Sequence, residues 1–550
     1  MPSPTAQLRA PLLWILFPFM AGLTAAWLWP MPASGSFPVV ASALILSAVA
    51  TWIAFRPGRW NHGAWAICLC AAISLGSFAM LHFREPQLHQ WETVPPREIS
   101  LTMRIDRVYP DRPQARNVSG LGTIVATSDA DDSLIGRRIY FSALRRISKS
   151  PVGSGSYLIS GVIEALPRKP VPASFDDYLE NLGIRQKLTR GKIGAESSSP
   201  TAFRKFCTRV DAHFGRILSL GLEAHPEVRS LYIAMLLGEK AVLSPDQQNA
   251  FMRSGTFHIF SISGLHVGII ALALYGGLRL LQIPRRATMA VSLLSLWFYL
   301  EVTGINSPAV RSFLMISFLF TSQLFRLSGN PLAALSGAAL VTLLIDPLQL
   351  FSAGFQMSYA VVAALVVMGV PLTRKNLDRW HPFPLLPRPN WERRHKIIDW
   401  GGRSLLGSCS AGWVAFLAST PAGIGYFQLF SPGSLIANLV IIPLSSLAII
   451  GGFLSLLAGL LGLASLSALF NSSSAMTIII MDWLVQHGTR LPCVYFNAHF
   501  THAWLAPLSI IAVTACMFAG LAGGWSRRCG GYWSPVVVLA VTLIFGVKFG

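Results

Sequence analysis

Charge is scarce in this chain. Of its 550 residues 12% are charged and 53% hydrophobic, and the mean hydropathy is +0.52. Soluble globular domains carry about twice that charged fraction, so a single water-soluble fold is excluded. Acidic residues are the scarcer sign, 24 Asp and Glu against 44 Lys and Arg, for a formal charge of +20. Short cytoplasmic loops of membrane proteins collect Lys and Arg, so this excess suits a polyanionic substrate without requiring one. Paired carboxylates, a Ser–His–Asp order and a phosphate loop are all missing. No catalytic residues are therefore assigned, and a built-in ATPase is not expected. The seven cysteines have no zinc-ribbon spacing. Cys68 and Cys70 lie in an apolar run and read as small buried hydrophobes, and Cys207 and Cys493 are the pair open to a disulfide. His499 and His502 lack a following Asp–His, so neither a metal nor another cofactor is expected. No internal repeat is evident, which weighs against transporters built from inverted repeats.

What the chain has instead is apolar runs of bilayer-spanning length. Three open it, near 11–30, 38–55 and 63–83. Ten more follow, near 256–283, 288–304, 309–325, 332–350, 354–372, 405–426, 434–460, 468–488, 503–523 and 533–549. The reading is a polytopic α-helical membrane protein of about thirteen transmembrane helices. Arg9, Arg56 and Arg59 place the N-terminus in the cytoplasm by the positive-inside rule. The first run has no cleavage site of small residues and reads as a helix rather than a signal peptide. A basic segment, 373–403, with Arg374, Lys375, Arg379, Arg388, Arg393, Arg394, Lys396 and Arg403, reads as a cytoplasmic loop, and Arg527 and Arg528 mark another turn on that side.

Between the third and fourth runs, residues 84–229 are polar. Ile99–Val108, Arg138–Leu144 and Tyr157–Ile163 alternate at period two, and turn-rich pieces separate them, which predicts a small all-β domain. Its length, near one hundred residues, suits a five-stranded OB-like barrel outside the cytoplasm. The domain plan is 1–85 for the first helices, 95–195 for the barrel, 201–530 for a membrane domain and 531–550 for a last helix. A helical stretch near 201–237 leads back to the membrane, and Ser244-Pro245 reads as a helix cap and first turn.

One string stands out: Phe257-His-Ile-Phe-Ser-Ile-Ser-Gly-Leu-His-Val-Gly268, at the head of an apolar run. Ionisable groups at membrane depth face a bundle interior or a wet path. His258 and His266 are two helical turns apart and share a face if the segment is one unbroken helix. They line a polar path, or hydrogen-bond between helices, or, with further ligands, hold a metal. Ser263, Gly264 and Gly268 suit a pore or close helix packing. Arg311 follows Asn306-Ser307-Pro308, a helix break with a cap. It suits a phosphate contact, snorkelling to the interface, or a structural pair with Glu301. Gln356 and Asn438 need partners in apolar surroundings, so inter-helix hydrogen bonding is open for both.

These pieces resemble the ComEC competence family, the channels that carry transforming DNA across the bacterial cytoplasmic membrane. Leu236-Leu-Gly238 and the string 257–268 carry the resemblance first. Pro308-Ala-Val-Arg311-Ser312 follows, with Ser312 where alanine is usual. Asp346-Pro347 with Gly354-Phe-Gln-Met-Ser-Tyr359, and Ala437-Asn438-Leu439 with Pro443-Leu444, complete the order. The segment Ser174-Phe-Asp-Asp-Tyr-Leu179 resembles part of the family's OB-fold domain. Many members add a metallo-β-lactamase-like C-terminal domain; its metal cluster is missing here, so no nuclease activity is expected.

The resemblance implies an inner-membrane, multi-pass channel for single-stranded DNA, not an enzyme. The expected DNA pathway residues are His258, Ser261, Ser263, Gly264, His266, Asn306, Arg311, Gln356 and Asn438. Expected barrel contacts are Arg104, Arg107, Tyr109, Arg137, Arg138, Arg145 and Arg146, with Tyr140 and Phe141 nearby. Implied partners are the lipid bilayer, a DNA-receptor protein on the outer face, and a cytoplasmic helicase or single-strand-binding proteins; a homo-oligomer is compatible with this plan. The rival reading is a secondary transporter of small polar or anionic solutes.

Overall fold

The computed structural model describes residues 10–29, 36–55, 61–84, 95–109, 117–127, 134–144, 153–167, 174–239, 243–305, 307–326, 329–526 and 530–550. Asn306, Arg145, Arg146 and the turn pair Arg527 and Arg528 lie outside the described residues.

Helices α1 (Leu13–Leu28), α2 (Ser36–Ala54) and α3 (Asn61–Arg84) come first. The barrel follows, with β1 (Arg97–Tyr109), β2 (Asn117–Thr127), β3 (Arg138–Leu144), β4 (Ser156–Ala165), helix α4 (Phe175–Asn181) and β5 (Gln186–Ser198). The strands close in the order β1-β2-β3-β5-β4, with β3 and β5 parallel and the other pairs antiparallel. Alternate residues Leu101, Met103 and Ile105 of β1 point inward against Phe141, Ile159 and Leu188. Period-two alternation exposed β1, β3 and β4 in the sequence; β2 and β5 escaped it. In β2 two glycines interrupt the pattern because larger residues need their space. A Cβ at Gly120 would fall 2.9 Å from the Phe141 ring, and one at Gly122 would fall within the Met103 side chain.

The predicted helical stretch 201–237 divides into α5 (Ala202–Ser219) and α6 (Pro226–Leu237), and α7 (Pro245–Arg253) follows. Ser244 caps α7 in a reciprocal capping box with Gln247, as the Ser-Pro pair suggested. The membrane core then comprises α8 (Gly264–Leu280), α9 (Arg285–Val302), α10 (Ser307–Leu324), α11 (Pro331–Ile345), α12 (Ala353–Ala364) and α13 (Val370–Arg379). Next come α14 (Arg393–Phe427), β6 (Leu429–Phe430), α15 (Ser434–Leu460), α16 (Ala464–Gly488) and β7 (Phe496–Phe500). The chain ends with α17 (Leu505–Ala522), α18 (Ser534–Gly546) and β8 (Val547–Phe549).

Seven described helices are long and apolar enough to cross a membrane, four shorter apolar ones accompany them, and the chain is a multi-pass membrane protein. The basic loop is shorter than 373–403. A π-helical turn at 365–369 joins α12 to α13, so the helix runs on to Arg379, and α14 already begins at Arg393. Lys and Arg are good helix formers, so the helices outrun the apolar stretches that defined them.

The disulfide left open between Cys207 and Cys493 is not formed: Cys207 is a buried free thiol and Cys493 an exposed one. Cys68 and Cys70 are half-buried rather than core residues.

Helices α8, α10, α12, α14 and α15 form a closed circuit in which each packs on the next and α15 returns to α8. Arg84, at the end of α3, donates to the carbonyl of Ile345, the last residue of α11, at 3.1 Å.

Candidate functional site

The string 257–268 is not one unbroken helix. Phe257–Phe260 makes a single 3₁₀ turn, Ser261 is extended, and α8 starts only at Gly264. His258 and His266 therefore do not sit on one helical face as a continuous helix would place them. The break has a local cause. Ser263 and His266 cap one another: His266 Nδ1 accepts the Ser263 backbone N–H at 3.3 Å and lies 2.9 Å from Ser263 Oγ. An accepting Nδ1 leaves the proton of the neutral imidazole on Nε2. That Nε2 is buried without a partner, in a residue 1% exposed. His258 lies exposed on the 3₁₀ turn, and Ser261 turns back to bond the His258 carbonyl at 2.8 Å.

A second cluster gathers three sequence motifs. Arg311, in the second turn of α10, is 1% exposed. Its Nη1 donates to Ser307 Oγ at 2.6 Å, and its Nη2 to the carbonyl of Gly354, in the first turn of α12, at 2.8 Å. Ser307 donates in turn to Gln349 Oε1 at 3.1 Å, and Gln349 Nε2 to Asp346 Oδ2 at 3.0 Å. The Asp-Pro, Gly-Phe-Gln and Pro-x-x-Arg elements are thus one hydrogen-bonded unit. Gly264, the first residue of α8, packs on the same helix; a Cβ there would stand 3.2 Å from Ser312 Oγ. The starts of α8 and α12 therefore both lie against α10's first turns.

The electrostatics of this cluster are one-sided. Helix N-termini carry partial positive charge, and a guanidinium adds a full one. Burial of an unpaired cation is costly. Yet among the described residues no carboxylate forms an ion pair with Arg311, and its Nε has no hydrogen-bond partner. Glu301 is not its counterion, because it pairs with Arg204 of α5 at 3.4 Å. What remains open at Arg311 is a donor.

Asn438 of α15 also keeps a buried, unpartnered Oδ1. Gln356 is spoken for locally, its Nε2 donating to the Leu350 carbonyl at 3.1 Å. His266, Arg311 and Asn438 thus lie on three helices of the closed circuit, and each keeps one orphaned polar atom.

On the barrel, Arg104 and Arg138 share Asp106 at 3.6 and 3.7 Å, in a row across β1, β2 and β3. Arg107 lies 5.7 Å over the Tyr109 ring. Burial pushes the Tyr109 phenol well above its usual pKa, and Tyr178 adds to the shift, so it stays neutral. Arg137 is half-buried. Phe141 is no surface contact: it belongs to the barrel core. Sequence reading missed the aromatic row that Tyr109 and Tyr140 continue into Phe175 and Tyr178 of α4, with ring centroids 5.0–6.3 Å apart. Phe175 and Tyr178 were visible only as letters of a motif. Among the described residues no group of three or more His, Cys, Asp or Glu gathers as a metal site.

Over 314 residues, 57% of this chain, it is 26% identical to ComE operon protein 3 of Bacillus subtilis, covering 36% of that protein. Over 143 residues, 24% of this chain, it is 34% identical to competence protein ComA of Neisseria gonorrhoeae, covering 20% of it. Over 373 residues, 64% of this chain, it is 23% identical to recombination protein 2 of Haemophilus influenzae, covering 44% of it. In each case the match spans less than half of the relative's length. No solved structure matches. Residues 235–522, which hold both polar clusters, match the competence protein profile, and the chain belongs to the competence protein family.

Proposed function

We propose that this protein carries single-stranded DNA across the bacterial inner membrane, through the circuit of α8, α10, α12, α14 and α15. Arg311 carries the reading: a buried cation beside helix starts, with an unused donor, suits one phosphate of a passing strand. A strand carries one charge at every step, so a useful path holds each phosphate weakly. Two of the five Arg311 N–H groups are already used on Ser307 and Gly354, and Nε is the nitrogen left without a partner for the passing anion. His266 Nε2 offers a second donor, and Ser263, Gly264, His258, Ser261 and Asn438 complete the path in this reading.

The seven long helices, the four shorter apolar ones, and α9 and α10 give thirteen crossings with the N-terminus in the cytoplasm. The barrel is then extracytoplasmic and of OB type. Its Arg104, Arg107, Arg138 and aromatic row suit a strand held without sequence preference. A receptor delivers DNA to it, and a cytoplasmic helicase or strand-coating protein supplies the pull at the basic turn between α13 and α14.

The test is uptake of labelled linear DNA by a deletion strain, complemented with wild type or Arg311→Gln. DNA stalled outside the cytoplasm in the deletion, and rescue by wild type alone, is the expected result. Normal cytoplasmic uptake in the deletion strain overturns the reading in favour of solute transport.

A further inference from the structure

Three short strands from distant parts of the chain meet beside α14. β6 pairs with β7 through Phe430 and Phe496, and β7 with β8 through Ala498 and Phe549, all antiparallel. Side chains alternate across a strand, so Phe430, Phe496 and Phe549 share one face. Their ring centroids lie 5.8–6.3 Å apart. Phe496 is 38% exposed and Phe549 51%. From Phe430 the row continues onto α14: Phe416 stands 6.1 Å away, and Trp413 is stacked 6.1 Å beyond it.

The depth of this row is set by α14. After Arg403 that helix carries no charge through Phe427, a stretch long enough to cross hydrocarbon, and Phe416 lies midway along it. The chain turns at Gln428, in the left-handed region at φ 54°, and brings Phe430 back down against Phe416. Non-helical backbone at membrane depth persists only where protein buries it or water reaches it. A sheet of three strands has two edges whose backbone groups need such partners.

The charge around the row has one sign. Arg253 lies 5.0 Å over the ring of Tyr495, which precedes Phe496. Lys548 is paired across the strands with His499, and both are exposed. Segments 428–434, 489–504 and 546–550 contain no acidic residue.

We propose that Phe549, Phe496, Phe430, Phe416 and Trp413 form a stacking track for the nucleobases of single-stranded DNA, leading from the sheet into the helix circuit. Every base presents a π-face, so such a track is blind to sequence, and the neighbouring cations meet the phosphates. Lipid chains would fit the rings but leave Arg253, Lys548 and the open strand edges without a role. The proposal rests on the DNA-translocation reading above.

The full chain in lipid nanodiscs tests it, with an oligothymidine bearing 5-iododeoxyuridine and an abasic oligonucleotide of equal length as probes. Photocrosslinks are expected at Phe496 or Phe549. Phe496→Leu with Phe549→Leu, which keeps apolar bulk, is expected to weaken oligothymidine binding about tenfold and to leave abasic binding unchanged. The corresponding pair of Trp substitutions should retain full affinity. Equal wild-type affinity for the two probes, or equal loss of both in the Leu pair, overturns the stacking track and leaves translocation standing. Crosslinks confined to other residues do the same and assign the rings to lipid. Failure of the wild type to bind either probe, with undiminished uptake in the deletion strain, overturns the translocation reading itself.

Discussion

Arg311 donates to the carbonyl of Gly354, 43 residues further along the chain, at 2.8 Å. That bond ties the start of α10 to the start of α12 and fixes the guanidinium where no carboxylate among the described residues pairs with it. If the charge serves a passing phosphate, Arg311→Gln should lower DNA uptake tenfold or more at unchanged membrane abundance. Arg311→Lys should fall between, because an ammonium keeps the charge but not the planar fork. Uptake of labelled DNA, normalised to protein by immunoblot, decides it.

Glu301 separates this reading from a structural ion pair. It meets Arg204, not Arg311, so Glu301→Gln should leave uptake, normalised to membrane abundance, within about twofold of wild type, because a neutral amide still accepts from Arg204 and leaves the Arg311 fork untouched. A collapse of uptake in Glu301→Gln as deep as in Arg311→Gln would contradict the separation.

His266 makes two demands, an acceptor at Nδ1 for the Ser263 cap and a free donor at Nε2. Asn offers both an acceptor and a donor, so His266→Asn should retain part of the uptake, whereas His266→Ala should lose nearly all. The cap alone is worth about 1 kcal/mol, too little to unfold the membrane domain. Thermal stability of both purified variants should therefore stay close to wild type.

Arg185, just before β5, and Glu180 of α4 are paired at 3.1 Å, with Arg185 mostly buried. Burial raises the Glu180 carboxyl and lowers the Arg185 guanidinium, while each draws the other back toward its charged form. A double-mutant cycle on barrel proteolysis should give a coupling of about 1–3 kcal/mol.

In the barrel, a Cβ at Gly120 would stand only 2.2 Å from the Arg107 carbonyl oxygen. Gly120→Ala must move backbone, so it should destabilise the barrel by about 1–3 kcal/mol. Faster protease cleavage within 97–198, with the membrane helices intact, is the expected readout.

Much of the candidate site was written in the sequence, and for a physical reason. A polar residue in an apolar run is costly, so His266, Arg311 and Asn438 stood out as single letters. Ser-Pro before α7 announced a cap because capping is local. The same locality misled the helix reading of 257–268, where the Ser263–His266 bond ends the run at a point that hydropathy does not mark. The barrel was half legible: β1, β3 and β4 alternate cleanly, but β2 trades side chains for glycines to make room for Phe141 and Met103.

By itself the sequence determined the membrane class, the intervening β domain and the family, because hydropathy, alternation and motif order are properties of contiguous residues. Only the tertiary structure decided which counterion Arg311 lacks, since Glu301 turns to Arg204 on another helix. It alone joined Asp346, Gln349, Ser307, Arg311 and Gly354 into one unit. It alone placed Phe430, Phe496 and Phe549 on one face, because strands so far apart in the chain meet through backbone pairing that no local pattern records.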